Sequence, residues 1–232
     1  MRFEMTSWTD VAIHALYDPT VAKREHKLDG VHASAATGDL LAIDAGDGDL
    51  GLGVYLDEPI PADFEARVQN ITRDILLRVP SGRLCATGLE NIGDEAEMKA
   101  STISVPPGDY LVDAYDLEFD WDRDIDPVLV RELGSSYKRE LRLGGFGGAV
   151  LLGGLVSAVL GLVLWRPGVL IAGILGILIG IGALRLGVPG ADFEARRDAI
   201  VRRFPSVVLV LRRLPADADL AAYHGAVLHT EG

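Results

Sequence analysis

Cysteine is nearly absent from this chain, since Cys85 is the single thiol among 232 residues. One cysteine excludes an internal disulfide framework and fits a reducing compartment, and a buried structural role is expected for it. The first residues, Met1–Trp8, also lack the apolar core that a signal peptide needs. Export of the N-terminal part is therefore not expected.

Charge is missing from two long stretches, Leu143 to Trp165 and Gly168 to Leu184. As helices they would extend about 34 Å and about 25 Å, against a hydrocarbon core of about 30 Å. They predict a two-helix transmembrane hairpin over residues 135–188, with helices at 143–165 and 168–184. A buried helical hairpin is the alternative, but it would need many apolar surfaces around it.

Basic residues flank this hairpin on both outer sides, and only Arg166 lies in the turn between the helices. The positive-inside rule then places both termini in the cytoplasm, as a multi-pass protein of the cell inner membrane. Four arginines after the second helix are expected at the lipid headgroups, or else in ion pairs with the acidic domain. They are Arg196, Arg197, Arg202 and Arg203.

Small residues recur four apart in both apolar stretches, which favours close helix packing. The two stripes are Gly153, Ser157 and Gly161, and Ala172, Gly176 and Gly180. The stripes predict that the two helices pack on each other. Contacts between chains, giving a homo-oligomer, are the alternative.

The N-terminal part is strongly acidic, with 27 Asp and Glu against 11 Lys and Arg from Met1 to Gly134. Short alternating or apolar runs predict an acidic, cytosolic, β-rich domain over residues 1–134, a β-sandwich or a small sheet. The expected strands are Val31–Ala36, Leu40–Ala45, Leu52–Leu56, Ile71–Val79, Thr102–Val105 and Tyr110–Ile125. The fold class is thus mainly β, with a transmembrane hairpin and a short α/β tail.

The tail, residues 189–232, contains a basic juxtamembrane helix from Asp192 to about Phe204 and a strand at Val207–Leu211. Five consecutive apolar residues are typical of a buried strand. Because both parts would face the same compartment, this strand could complete the sheet of the first domain.

Carboxylates alternate with mostly apolar residues from Tyr115 to Asp126. In a strand, the period of two would place them on one face. A solvated face that blocks aggregation is the plain interpretation, and a surface for a basic partner is the more specific one. A divalent-metal site is the third, but carboxylates on one strand face are too far apart to converge on one ion without a loop. The predicted partner-binding residues are Asp116, Glu118, Asp120, Asp122 and Asp124.

No catalytic or metal motif is recognisable. The histidines, His14, His26, His32, His224 and His229, show no nucleophile or ligand spacing. The run Asp44–Asp49 resembles a calcium loop, but Gly51 and Leu52 stand where a ligand and the turn glycine belong. The sequence therefore predicts no cofactor, no metal and no catalytic residue, although an active site assembled from distant residues stays open.

Two segments, Leu76–Leu84 and Ile103–Val112 with its Pro-Gly-Asp-Tyr turn, carry a partial family resemblance. They resemble the strand-turn-strand core of the competence-associated DNA-entry nuclease inhibitor family and of bacterial immunity-like β proteins. The resemblance implies a non-enzymatic domain that binds a protein partner.

The expected function is a membrane-anchored protein-binding domain, an inhibitor or immunity-type factor, whose acidic face meets a basic nuclease or toxin and not a nucleic acid. The alternatives are a structural membrane component that oligomerises through its Gly-rich hairpin, and an enzyme with an unrecognised site.

Overall fold

The computed structural model describes residues 1–22, 28–46, 48–93, 101–164, 167–186 and 191–229. The chain divides into two compact units, one of Met1–Phe119 with Arg202–Gly232 and one of Asp120–Val201. The second unit is thus inserted into the first. These boundaries differ from the predicted segments 1–134, 135–188 and 189–232.

The first unit contains two five-stranded sheets. Sheet 1 has the order β1 (Arg2–Thr9), β4 (Gly48–Leu56), β9 (Val207–Arg213), β8 (Gly108–Leu117) and β5 (Val68–Val79). Sheet 2 has the order β10 (Val227–His229), β3 (Leu40–Asp44), β2 (Ile13–Tyr17), β6 (Arg83–Gly88) and β7 (Thr102–Ser104). The pairs β4–β9 and β10–β3 are parallel, and the other described pairs are antiparallel. Two helices, α1 (Leu28–Ala36) and α2 (Ala62–Glu65), belong to the same unit.

The main core lies between the two sheets, where alternate residues of facing strands meet. In β9, Val207, Leu209 and Leu211 point into this core, whereas Val208 and Val210 pack in a second cluster on the outer side of sheet 1. Burial on both sides explains why β9 is a continuous apolar run. The sequence left open whether this strand joins the sheet of the N-terminal part, and the structure shows that it does, because β9 pairs with both β4 and β8.

One expected strand, Val31–Ala36, is wrong, because these residues lie in helix α1. Val31 and Ala35 are four residues apart, on one side of the helix, and both pack in the cluster that contains Tyr17 and Leu40. Of the residues between them, the small Ala33 and Ser34 fit a helix as well as a strand. The spacing of the buried residues is therefore helical.

The second unit is helical. A single π-helical turn, Trp121–Ile125, precedes α3 (Asp126–Leu133), α4 (Ser135–Val163), α5 (Pro167–Leu186) and α6 (Ala191–Val201). Gly134 separates α3 from α4 with φ of +64°, a conformation that favours glycine. The Tyr137 hydroxyl donates to Oδ1 of Asp126 at 2.7 Å, which ties the start of α4 to the start of α3.

The predicted fold class and localisation are wrong. The described residues form a mixed α/β fold of two sheets and six α-helices, rather than a mainly β domain with a transmembrane hairpin. Among these residues, no helix reaches the length and apolar character that crossing a membrane requires. The apolar stretches are instead segments of α4 and α5, and the inner-membrane, multi-pass assignment is corrected with the fold.

Candidate functional site

The predicted acidic strand face is interrupted after its first carboxylate. Strand β8 ends at Leu117, and a helical turn begins at Trp121. On β8, Tyr110, Val112 and Ala114 occupy the same face as Asp116 and are part of the core between the sheets. Continuing the strand would carry further carboxylates along this core face, so the chain leaves the sheet where the acidic run begins.

The five predicted partner-binding residues fall in different structural settings. Asp116 is in β8, and Glu118 follows it and accepts a hydrogen bond from Nε2 of Gln69 at 2.8 Å. Asp120 caps the helical turn by accepting from the backbone N–H of Arg123 at 2.8 Å. Asp122 and Asp124 lie within this turn. The first two residues belong to the first unit and the other three to the second unit, so they form no single strand ladder.

The small residues of α4 and α5 divide into two groups. A Cβ atom at Gly154 would lie 2.5 Å from the backbone nitrogen of Ile177, and one at Gly176 would lie 3.0 Å from Cα of Gly154. A Cβ at Gly173 would collide with the backbone of Ala158. By contrast, a Cβ at Gly153 would meet no atom within 4 Å.

Of the predicted packing residues, Gly176 therefore lies in the helix contact and Gly153 lies outside it. Ser157 is half-buried and Ala172 is exposed. The surroundings of Gly161 and Gly180 lie outside the described part of the structure. The contact on α4 thus runs one residue later than the predicted stripe.

The prediction that four arginines lie at lipid headgroups depended on the membrane hairpin, and it falls with that hairpin. Arg196 donates from Nη2 to the carbonyl of Glu132 at 3.4 Å, and Arg197 pairs with Asp198 at 3.2 Å. Arg202 and Arg203 follow α6 and begin the return of the chain to the first unit.

Among the histidines, His26 lies outside the described residues and His14 is buried. His14 is 2% exposed, and its Nδ1 lies 2.9 Å from Oγ of Ser7, which is 1% exposed. Burial lowers the pKa of His14, although a backbone hydrogen bond with Gly46 and the charges of Glu90 and Asp49 oppose this shift. Because both side chains are buried, a substrate has no access to this pair. No group of His, Cys, Asp and Glu in the described residues is arranged to hold a metal ion.

One exposed surface combines a large aromatic side chain with carboxylates. Trp8 is 50% exposed on β1, and Asp49 lies directly opposite it on β4. Residues paired in this way have Cβ atoms about 5 Å apart on the same side of the sheet. Asp10 and the 48% exposed Val11 follow in the loop to β2. We call Trp8, Asp10, Val11 and Asp49 the Trp8 surface.

Glu90 holds the loop of the Trp8 surface in place. Its carboxylate accepts hydrogen bonds from Oγ1 of Thr9 at 2.9 Å, the N–H of Asp10 at 3.3 Å and Nδ2 of Asn91 at 3.2 Å. The N–H of Val11 in turn donates to Oγ1 of Thr9 at 3.1 Å. These bonds hold the backbone of the loop, so a partner would meet a preformed loop conformation.

The alternation of residues along β1 indicates that Trp8 is exposed, although the sequence patterns considered above did not identify this strand. Arg2, Glu4 and Thr6 occupy alternate positions of β1 on the same side as Trp8. A tryptophan that continues a row of polar residues lies on the solvent side of the strand, and the buried residues of β1 are Met5, Ser7 and Thr9.

Comparison with known proteins gives no family for this chain: no family model, no curated protein and no solved structure matches it. The partial resemblance to nuclease inhibitors and immunity-like proteins stays a prediction.

Proposed function

We propose that this protein is a non-enzymatic binding protein whose Trp8 surface takes an Arg- or Lys-containing segment of a basic protein partner. The observation that carries the proposal is the half-exposed Trp8 directly opposite Asp49. An exposed indole binds guanidinium and ammonium groups through its ring face, and a neighbouring carboxylate pairs with the same cation.

The charge of the chain supports a cationic partner. The formal net charge is −12 at pH 7, which attracts basic chains and repels nucleic acid. Near the Trp8 surface, both Asp49 and Glu90 lie close enough to act on the buried His14. The partner segment would therefore meet a negative field as well as an aromatic contact.

The fixed loop supports binding of a protein segment. Tryptophan supplies a large contact area with few rotatable bonds, and such residues commonly dominate binding energy in interfaces. Binding a basic protein in this way suits an inhibitor or immunity-type factor that acts by covering its target.

The test is calorimetric titration of the full-length protein with a short peptide of alternating Arg and Gly, at low and high ionic strength. Trp8→Ala should weaken binding about tenfold, and Asp49→Asn severalfold, with both affinities falling as salt rises. The matched control is Trp121→Ala, because Trp121 is 49% exposed and lies in the other unit.

Equal affinity in the Trp8→Ala and Trp121→Ala proteins would show that Trp8 contributes no more than another exposed indole beside carboxylates, and the proposal would be rejected. Urea unfolding of each variant checks that the fold is retained. A loss of affinity in Trp8→Ala with an unchanged unfolding midpoint supports the proposal.

A further inference from the structure

The described side chains from Leu151 to Val163 of α4 and from Val169 to Ile181 of α5 form an almost entirely apolar surface. From Leu143 to Leu164 and from Pro167 to Leu184 the sequence contains no Asp, Glu, Lys or Arg. Fourteen large aliphatic side chains of the two described helices are between 39% and 68% exposed. On α4 they are Leu152, Leu155, Val156, Val159, Leu160, Leu162 and Val163, and on α5 they are Val169, Ile171, Ile174, Leu175, Leu178, Ile179 and Ile181.

This exposure follows from how the two helices meet. Gly154, Ala158, Gly173 and Gly176 bring the two backbones into direct contact, so small groups fill the interface. The large side chains of both helices consequently project away from it. The pair buries little of its own apolar surface.

The helical repeat sorts the projecting side chains onto two broad faces. At 3.6 residues per turn, counted from Gly154 on α4 and Gly173 on α5, one face receives only large aliphatic residues between Leu151 and Val163 and between Val169 and Ile181. These are Leu152, Leu155, Val159 and Leu162 with Ile171, Ile174, Leu178 and Ile181, and we call them the aliphatic face. The opposite face mixes Val156, Leu160, Leu175 and Ile179 with Gly153, Ser157 and Ala172.

We propose that the aliphatic face binds the same face of a second copy of this chain, so that two α4–α5 pairs form a four-helix bundle. A two-fold axis brings identical surfaces together, and an uncharged aliphatic surface is complementary to itself. A charged partner would find no group to pair with on this face, because this part of the sequence is uncharged.

The exposed area is enough for a small dimer interface. A Leu, Ile or Val side chain carries about 60–120 Å² of apolar surface by its transfer free energy, so the eight half-exposed side chains of the aliphatic face present roughly 240–480 Å². A specific interface buries about 600–1,000 Å² per partner, of which about 56–65% is apolar, or roughly 340–650 Å². The aliphatic face therefore reaches the lower end of the apolar area that an interface between copies needs.

Matched pairs of substitutions test which face is used. Leu155→Glu with Ile174→Glu places two charges on the aliphatic face, where the side chains are 52% and 47% exposed. Leu160→Glu with Ile179→Glu places two charges on the opposite face, where they are 48% and 55% exposed. The two double variants are thus equal in charge and nearly equal in exposure.

The measurement is the mass of the full-length protein by light scattering after size exclusion, in buffer without detergent. The unmodified protein should have twice the chain mass of 24.8 kDa. The Leu155→Glu, Ile174→Glu protein should have the mass of one chain, whereas the Leu160→Glu, Ile179→Glu protein should keep twice that mass.

Two results would overturn the proposal. One is a mass of a single chain for the unmodified protein. This includes the case in which the protein does not dimerise but binds phosphatidylcholine vesicles in a flotation assay. The other is an equal loss of dimer in both double variants. Peptide affinity at the Trp8 surface and the mass of the protein in solution are separate measurements. Either proposal can therefore be rejected while the other is supported.

Discussion

The buried carboxylate of Asp18 accepts two hydrogen bonds from Ser81, one from the backbone N–H and one from the hydroxyl, each at 2.7 Å. Asp18 follows strand β2 of sheet 2, and Ser81 lies in the turn that leads from β5 of sheet 1 to β6 of sheet 2. Thr20 donates two more bonds to the same side chain, at 2.8 and 2.7 Å. One carboxylate therefore fixes the crossing between the two sheets.

We predict that Asp18→Asn destabilises the first unit by roughly 2–3 kcal/mol at neutral pH, because the amide cannot accept all four bonds and Asp18 is 0% exposed. Burial raises the pKa of Asp18, but the four hydrogen bonds outweigh it, and the net pKa is below its ordinary value. A lowered carboxyl pKa stabilises the fold above the unfolded value of about 3.9. That contribution is lost as pH falls through the folded pKa.

The difference in unfolding free energy between the unmodified protein and Asp18→Asn should therefore shrink as pH falls below about 3.9. Urea unfolding at several pH values measures it. A difference that stays constant down to the acid limit would contradict an ionised Asp18 in the fold.

His14 gives a second pH dependence, in a different range. Its pKa is lowered because the imidazole is buried. Between the folded pKa and the unfolded value of about 6.5, the unfolded chain binds more protons, so stability rises with pH in this window. We predict that the protein loses stability as pH falls below about 6.5, and that His14→Gln loses less over the same interval. Identical slopes for both proteins in urea unfolding would argue against a neutral buried His14.

Adjacent glycines of α4 give a matched test of the helix contact. Gly153→Ala should stabilise α4 by up to about 1 kcal/mol, because its Cβ enters open space and alanine favours a helix. Gly154→Ala should destabilise the α4–α5 pair by about 1–3 kcal/mol, because its Cβ would press on the backbone of α5. Thermal unfolding followed by far-UV circular dichroism separates the two, and a gain of stability in Gly154→Ala would contradict the close contact.

Four of the strands that sequence patterns predicted have buried aliphatic residues. Strands β3, β4, β5 and β9 contain such residues, and each overlaps an expected strand. Strand β1 escaped prediction because Ser7 and Thr9 stand at its buried positions, where His14 and Glu90 supply their hydrogen bonds. A polar residue at a core position interrupts the alternation of apolar and polar residues by which a strand is recognised. The group that forms its hydrogen bond is distant in sequence, so the sequence pattern does not show that the residue is buried.

The acidic run shows the opposite limit. Its alternation is regular enough to predict a strand through Ile125, yet the strand ends at Leu117. The period of two cannot say which face is the core, and here the carboxylates continue the buried face of Val112 and Ala114. The site on Trp8 depends in turn on a register between β1 and β4 that only the folded sheet defines.

The position of β9 imposes an order on synthesis. This strand lies between β4 and β8, but the ribosome makes it only after the inserted unit, Asp120–Val201. At about 5–20 residues per second, synthesis of the inserted unit takes roughly 4–16 s, and this time separates β8 from β9. During that interval β4 and β8 have unpaired edges that could join other nascent chains. Slow elongation or a pause within the inserted unit should therefore lower the yield of folded protein more than a pause after Arg213.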